Sequence, residues 1–158
     1  MGWGPPKTVE AVSTGLTTSV TAYTAGDQYG DVFTFAAVAG ANAGHGVITG
    51  ITLIDDGDVI LGTELWVFKD TVTEAADNAA FAFSDADLLK IVAGFPISLP
   101  LATDASTGRA AAVPNLWLPF TSGAAHDDLF GYLVCRGGHT FFTAVDDLHL
   151  ILSVIQYT

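Results

Sequence analysis

Asp85 and Asp87 stand two residues apart in the stretch FAFSDADLLK, where two carboxylates could share a metal ion or divide acid and base work. Their neighbours support a simpler assignment. Ser84-Asp85-Ala86-Asp87 ahead of Leu88-Leu89 fits a capping box, in which the Ser84 hydroxyl accepts a first-turn N–H and Asp87 reaches back to the Ser84 N–H. Both acids then lie at the positive end of a helix dipole. The spacing predicts one short helix near residues 84–90 and no catalysis.

The other reactive groups fail on spacing. Asp55-Asp56-Gly57-Asp58 could suggest calcium, but counting from Asp56 the twelfth position is Val67, where a calcium loop needs a bidentate Glu. A hairpin turn accounts for these acids, and for Asp127-Asp128 and Asp146-Asp147 ahead of strands. His45, His126, His139 and His149 form no H-x-H or H-x-x-x-H pair and have no second cysteine to join them, which argues against zinc. Ser122, His126 and Asp127 are the letters of a hydrolytic triad, yet no G-x-S-x-G turn presents a nucleophile. The glycine-rich segment 39–46 lacks the Gly-Lys-Ser/Thr end of a phosphate loop and falls between strands. Cys135, the single cysteine, lies in an apolar run that makes it a buried thiol, so no internal disulfide forms. The expectation is a protein without enzymatic activity, metal or cofactor.

Composition narrows the partners. Five Lys plus Arg against seventeen Asp plus Glu give a net charge of −12, and the cations are scattered. A nucleic-acid binder needs clustered cations to displace counterions, so direct DNA or RNA contact is not expected. The same acidity disfavours anionic membranes, and no apolar run has the length of a span or of a signal peptide. Pro6 stands where a myristoylation signal needs Ser or Thr. Synthesis inside a cell, without export through a cleaved leader, is the expectation.

The elements that must carry these residues are strands. Short apolar alternations broken by Gly, Asp, Asn and Pro recur through residues 15–23, 31–38, 46–55, 64–70, 90–100, 114–120, 129–137 and 147–156. Leu148, Leu150, Leu152 and Val154 alternating with His149, Ile151, Ser153 and Ile155 give the clearest period of two. Leu65, Trp66, Val67 and Phe68 predict a strand covered on both faces, and Pro96 and Pro100 predict an edge strand. At 158 residues the expectation is all-β: a single-domain antiparallel β-sandwich, jelly-roll-like, with about eight strands. Residues 1–10 are expected as an extended N-terminal arm and 11–158 as the sandwich domain.

Two tryptophans point outward. Trp117 has the opposite parity to Leu116, Leu118 and Phe120, and Trp3 precedes Pro5 and Pro6 in the arm. Exposed tryptophans mark interfaces, so Trp3, Pro5, Pro6 and Trp117 are the candidate partner contact.

The ordered series AYTAGDQYGDVFTF, GVITGITLIDD leading to ELWVFKD, DNAAFAFSDADLLKIVAG, LPF before LFGYLVCRG, and DLHLILSVIQ resembles tailed-bacteriophage capsid decoration proteins, also called cement or auxiliary head proteins. The likeness runs from about Thr21 to Gln156; the arm and the segment LATDASTGRAAAV lie outside it. It implies a non-enzymatic virion protein on the outer capsid surface. Such a protein binds the major capsid protein and stabilises the expanded icosahedral head, with a homotrimer favoured and a dimer possible. It implies no binding signature at the level of residues. The leading alternative is a carbohydrate- or receptor-binding sandwich of head-fibre or adhesin type, with Trp117, Tyr23 or Tyr132 as stacking platform. A cupin-like hydrolase or isomerase would need a His/Glu metal cluster that the spacing does not supply.

Overall fold

A computed structural model of the chain describes residues 5–14, 16–41, 43–56, 62–73, 75–98, 108–137 and 147–157. Eight antiparallel strands run in chain order: β1 (Lys7–Thr14), β2 (Gln28–Phe35), β3 (His45–Asp55), β4 (Gly62–Phe68), β5 (Ile91–Ser98), β6 (Arg109–Thr121), β7 (Leu129–Cys135) and β8 (Leu148–Tyr157). One turn of helix, α1 (Asp85–Leu88), precedes β5.

The hydrogen-bonded order is β5-β4-β7-β2-β1-β8-β3-β6. Strand β1 pairs with β8, β2 with β7, β3 with β6 and β4 with β5, so the second half of the chain returns along the first in reverse. Pairing of β3 with β8 and of β4 with β7 completes two four-stranded layers, β1-β8-β3-β6 and β2-β7-β4-β5. Among the described residues, only the pairs Ser13↔Phe35 and Thr14↔Thr34 join them. This connectivity is a jelly roll, and the sandwich expected from eight alternating segments is present.

Alternation decides what lies between the layers. Leu148, Leu150, Leu152 and Val154 are buried while their neighbours on β8 are partly exposed. They meet Ile48, Ile51 and Leu53 of β3 and, from the other layer, Phe33, Phe35, Leu65, Val67 and Leu133 in one apolar cluster. Each such side chain contributes about 1.5–3 kcal/mol by leaving water. Within the β2-β7-β4-β5 layer, Phe33 directly opposes Gly131 across β2 and β7. A methyl group on Gly131 would overlap the Phe33 ring, so only glycine fits.

Three boundaries differ from the sequence expectation. Residues 16–22 form no strand, although Leu16 and Thr18 are buried. Local side-chain bonds occupy the backbone there: Ser19 N–H donates to Tyr23 Oη (2.6 Å) and Thr21 N–H to Ser19 Oγ (3.0 Å). The eighth strand comes instead from β1, so Lys7 to Glu10, assigned to the arm, pair with Gln156 to Ser153. Strand β6 starts at Arg109, five residues before Pro114, because the alanine-rich stretch pairs with Ile51 to Asp55 of β3.

Both sheet ends carry prolines; the edge strand expected from Pro96 is present, and Pro100 lies outside the described residues. Pro96 lies on β5 at one end of the order, and Pro114 and Pro119 lie on β6 at the other. Proline cannot donate to a further strand, so both edges resist edge-to-edge association.

Candidate functional site: the uncovered face of β1-β8-β3-β6

The two layers differ in what lies outside them. Over β2-β7-β4-β5 the chain supplies its own cover. Phe81 and Phe83 pack on Trp66, with ring centroids 6.3 and 5.3 Å away, and Phe83 also meets Phe68 at 5.9 Å. With Val72, Tyr132 and Phe130 they form a second apolar cluster, which explains why β4 is apolar on both faces. Residues 69–73 and 75–90 therefore act as a lid on that layer.

Helix α1 fastens this cover. The Ser84 N–H and hydroxyl both donate to Asp87 Oδ2, at 3.2 and 2.7 Å, so a capping box forms with Asp87 as its hub. Lys90 Nζ lies 2.9 Å from Asp87 Oδ1 and donates to Thr71 O. The Lys90 and Ser84 bonds together lower the Asp87 pKa to about 2. The paired acids of the sequence are structural.

A second anchor ties residues 16–23 to the cover. Tyr23 Oη donates to Asp77 Oδ1 (2.6 Å), which also accepts Gly30 N–H (2.7 Å). Burial, reinforced by the Asp77 carboxylate, pushes the Tyr23 phenol pKa upward.

Nothing among the described residues covers the outer face of β1-β8-β3-β6. One row across it is Val12, Ile151, Thr52 and Ala112, and another is Thr8, Ile155, Val47 and Pro119. Val12 is 52% exposed. Charges are almost absent: the four strands hold Lys7, Glu10, Asp55 and Arg109, of which Asp55 and Arg109 are buried. In a chain with a net charge of −12, Glu10, exposed and of the same parity as Thr8 and Val12, is the one acid these four strands place on this face.

Trp117 stands on the β6 side of the face. Leu116 and Leu118 pack against the core, and Trp117 between them is 63% exposed, as its parity predicts. The backbone there is irregular. Ile48 opposes Leu118 and Gly50 opposes Pro114, so Thr49 alone faces Asn115, Leu116 and Trp117. On its other side Ile48 opposes Val154 and Gly50 opposes Ser153, so Thr49 is itself an extra residue against β8. Asn115 and Trp117 adopt left-handed backbone, with φ of 61° and 52°. Asparagine tolerates that region; a bulky tryptophan is held there at a cost of about 1–3 kcal/mol. The double bulge opens a groove of about 350 Å³ lined by Thr49, Thr52, Ser153, Pro114 and Asn115 among others.

Pro5 and Pro6 are exposed and lead into β1 at Lys7, opposite Gln156 near the end of β8. Tyr157, 41% exposed, lies at that end and opposes His45. The fold thus brings Pro5, Pro6 and Trp117 to one layer, with β8 and β3 between them, about 14 Å across at three strand spacings. Trp3 lies outside the described residues.

No family model matches the chain, and no curated protein sequence matches it. Among solved structures it is similar to one described as Desmodium yellow mottle tymovirus, with 11% identity and a TM-score of 0.30, over 98% of this chain and 89% of that one.

The catalytic candidates of the sequence do not assemble among the described residues. Ser122 Oγ donates to the His126 carbonyl (3.0 Å), and the His126 ring faces Asp70 at 3.4 Å, so the triad letters adopt no triad geometry. His149 pairs with Asp56 (3.4 Å) and His45 with Thr121 (2.9 Å), far apart in register. His139 lies outside the described residues. Among the described residues no three His, Cys, Asp or Glu side chains gather as a metal site. Tyr23 and Tyr132 are buried, which removes both as stacking platforms and leaves Trp117.

The sequence pointed to Trp117 but missed Thr49, Asn115 and the groove. Its signal was the Pro114-Asn115 pair inside an alternating strand, a turn signal where a strand should continue.

Proposed function

We propose that the protein is a structural component of a bacteriophage virion, a decoration protein that attaches to the outer surface of the major capsid lattice and stabilises the expanded head. The observation that carries this reading is the asymmetry of the sandwich: one layer is sealed by the chain itself, and the other offers a face sparse in charge with Trp117 exposed. The resemblance of the strand and turn order to decoration proteins supplies the assignment to phage heads.

In this reading the contact lies at the end of the face where Pro5 and Pro6 enter β1, and it extends to Trp117. The net charge of −12 keeps copies apart before a shell exists. Apolar contact then holds them on it, and repetition over a lattice of identical sites lets each contact be modest. The chain performs no reaction and needs no cofactor. It is made in the host cytoplasm, and a homotrimer on a local symmetry axis is favoured over a dimer.

The test is co-sedimentation with expanded empty heads at about 10 µM protein, a concentration suited to micromolar affinity. The protein should pellet with the heads, and deleting residues 1–6 or introducing Trp117→Ala should weaken attachment. Absence of the intact protein from the pellet would remove this reading.

A further inference from the structure

The groove at the β3–β6 bulge carries chemistry that a flat protein contact does not require. We propose that it binds a neutral saccharide, with Trp117 as the stacking surface and Asn115, Thr49, Thr52 and Ser153 as hydrogen-bonding partners. The proposal does not rest on attachment to a shell.

Two observations meet there and a third lies beside it. The first is backbone strain: Asn115 and Trp117 both occupy left-handed backbone, an arrangement that persists where surrounding structure enforces it and that clusters at ligand sites. The second is the Trp117 side chain, which is 63% exposed and stands outside the groove lining, at most about 7 Å along the strand from Asn115 at its rim. The third is the groove lining. Its side-chain polar groups are three hydroxyls and one carboxamide, none of them charged, between the backbone of Gly50 and the ring of Pro114.

That set selects the ligand class. The Asn115 carboxamide and the Thr52 and Ser153 hydroxyls can donate and accept, and the Thr49 hydroxyl, which donates to the Ser153 carbonyl at 3.1 Å, can accept. Such groups suit a ligand carrying many hydroxyls. An indole offers a broad apolar surface for the C–H face of a sugar ring. A phosphate or carboxylate ligand would find no cation in the lining and would meet a chain of charge −12. A purely apolar ligand would bury the hydroxyls unpaired, at a cost. About 350 Å³ is at the small end of ligand sites, which run from about 300 to 1,000 Å³, and it suits one or two sugar rings.

The experiment titrates the intact protein with lactose, maltotriose, mannobiose and chitobiose, and with sialyllactose as a charged comparison. Tryptophan fluorescence and amide chemical shifts are the readouts. At least one neutral sugar should saturate with a Kd on the order of 1 mM, shifting residues 113–118 and Thr49, and sialyllactose should bind more weakly than lactose. Trp117→Ala should weaken binding about 30-fold, as loss of a central aromatic contact does. Asn115→Gly keeps the left-handed backbone while removing the carboxamide, and should weaken it about tenfold without changing the unfolding midpoint. Trp117→Phe retains a stacking ring and should bind within about fivefold of the parent. Deleting residues 1–6 should leave sugar binding intact while weakening head attachment, so the two functions fail separately. No saturable binding of any of the four neutral sugars, or binding indifferent to Trp117→Ala and Asn115→Gly, would overturn the proposal.

Discussion

Phe83 packs on Trp66 with ring centroids 5.3 Å apart, and this contact closes the outside of one layer of the sandwich. The equivalent outer surface of the other layer has Val12 and Ile151 side by side without a cover among the described residues. Stability and binding are therefore expected to reside on opposite sides of the molecule.

Phe83→Ala should destabilise the fold by about 2–4 kcal/mol, because it removes the ring that shields Trp66 and Phe68. Val12→Thr, on the uncovered face, should change stability by no more than about 0.5 kcal/mol. Urea unfolding of both variants checks the contrast. Equal losses would mean that the β1-β8-β3-β6 face is packed in solution.

Trp117→Gly separates strain from function. Glycine takes φ near 52° without penalty, whereas it ordinarily costs a strand about 0.5–1 kcal/mol. Relief of strain should offset that cost, leaving stability within about 1 kcal/mol of the parent, while attachment to heads falls. Denaturant unfolding and co-sedimentation of one preparation measure both quantities. A loss of several kcal/mol would show that the indole supports the fold.

Acid should loosen the cover first. The Asp87 pKa lies near 2, below its ordinary value near 4, so its ionised form stabilises the folded state above about pH 4. That contribution declines as pH falls from about 4 to 2 and is gone below both values. Asp87→Asn should flatten the dependence of the urea midpoint on pH across this window, at lower stability above it. An unchanged profile would remove Asp87 as a source of acid sensitivity.

Much of this architecture was legible from the chain alone. The period of two in 148–155 placed β8 and its buried face, and the double-sided apolar run at Leu65 to Phe68 anticipated a covered strand. Parity alone set Trp117 outward. What escaped depends on contacts distant in sequence. Residues 16–22 alternate like a strand, but Tyr23 and Asp77, 54 residues apart, hold that region in another conformation. β1 shows weak alternation because several of its residues face solvent, and only pairing with β8 defines it. The groove arises from a mismatch in length among three strands, a property that no one of them carries.

Ionic strength distinguishes an apolar contact from a basic partner. The proposed contact face holds few charges, so attachment should persist or strengthen as salt rises from about 0.05 to about 0.5 M, where repulsion among the acidic copies is screened. Binding measured on heads across that range checks this. A steep loss with salt would indicate a basic docking surface engaging the acids elsewhere on the chain.

The most direct measurement is a cryo-electron microscopy image of expanded heads incubated with the protein, at a resolution that orients the sandwich. The expected image has β1-β8-β3-β6 toward the shell, the Pro5–Pro6 end and Trp117 in contact, and helix α1 pointing away. Bare heads, or copies docked through the Phe81–Phe83 cover with Trp117 in solvent, would contradict it.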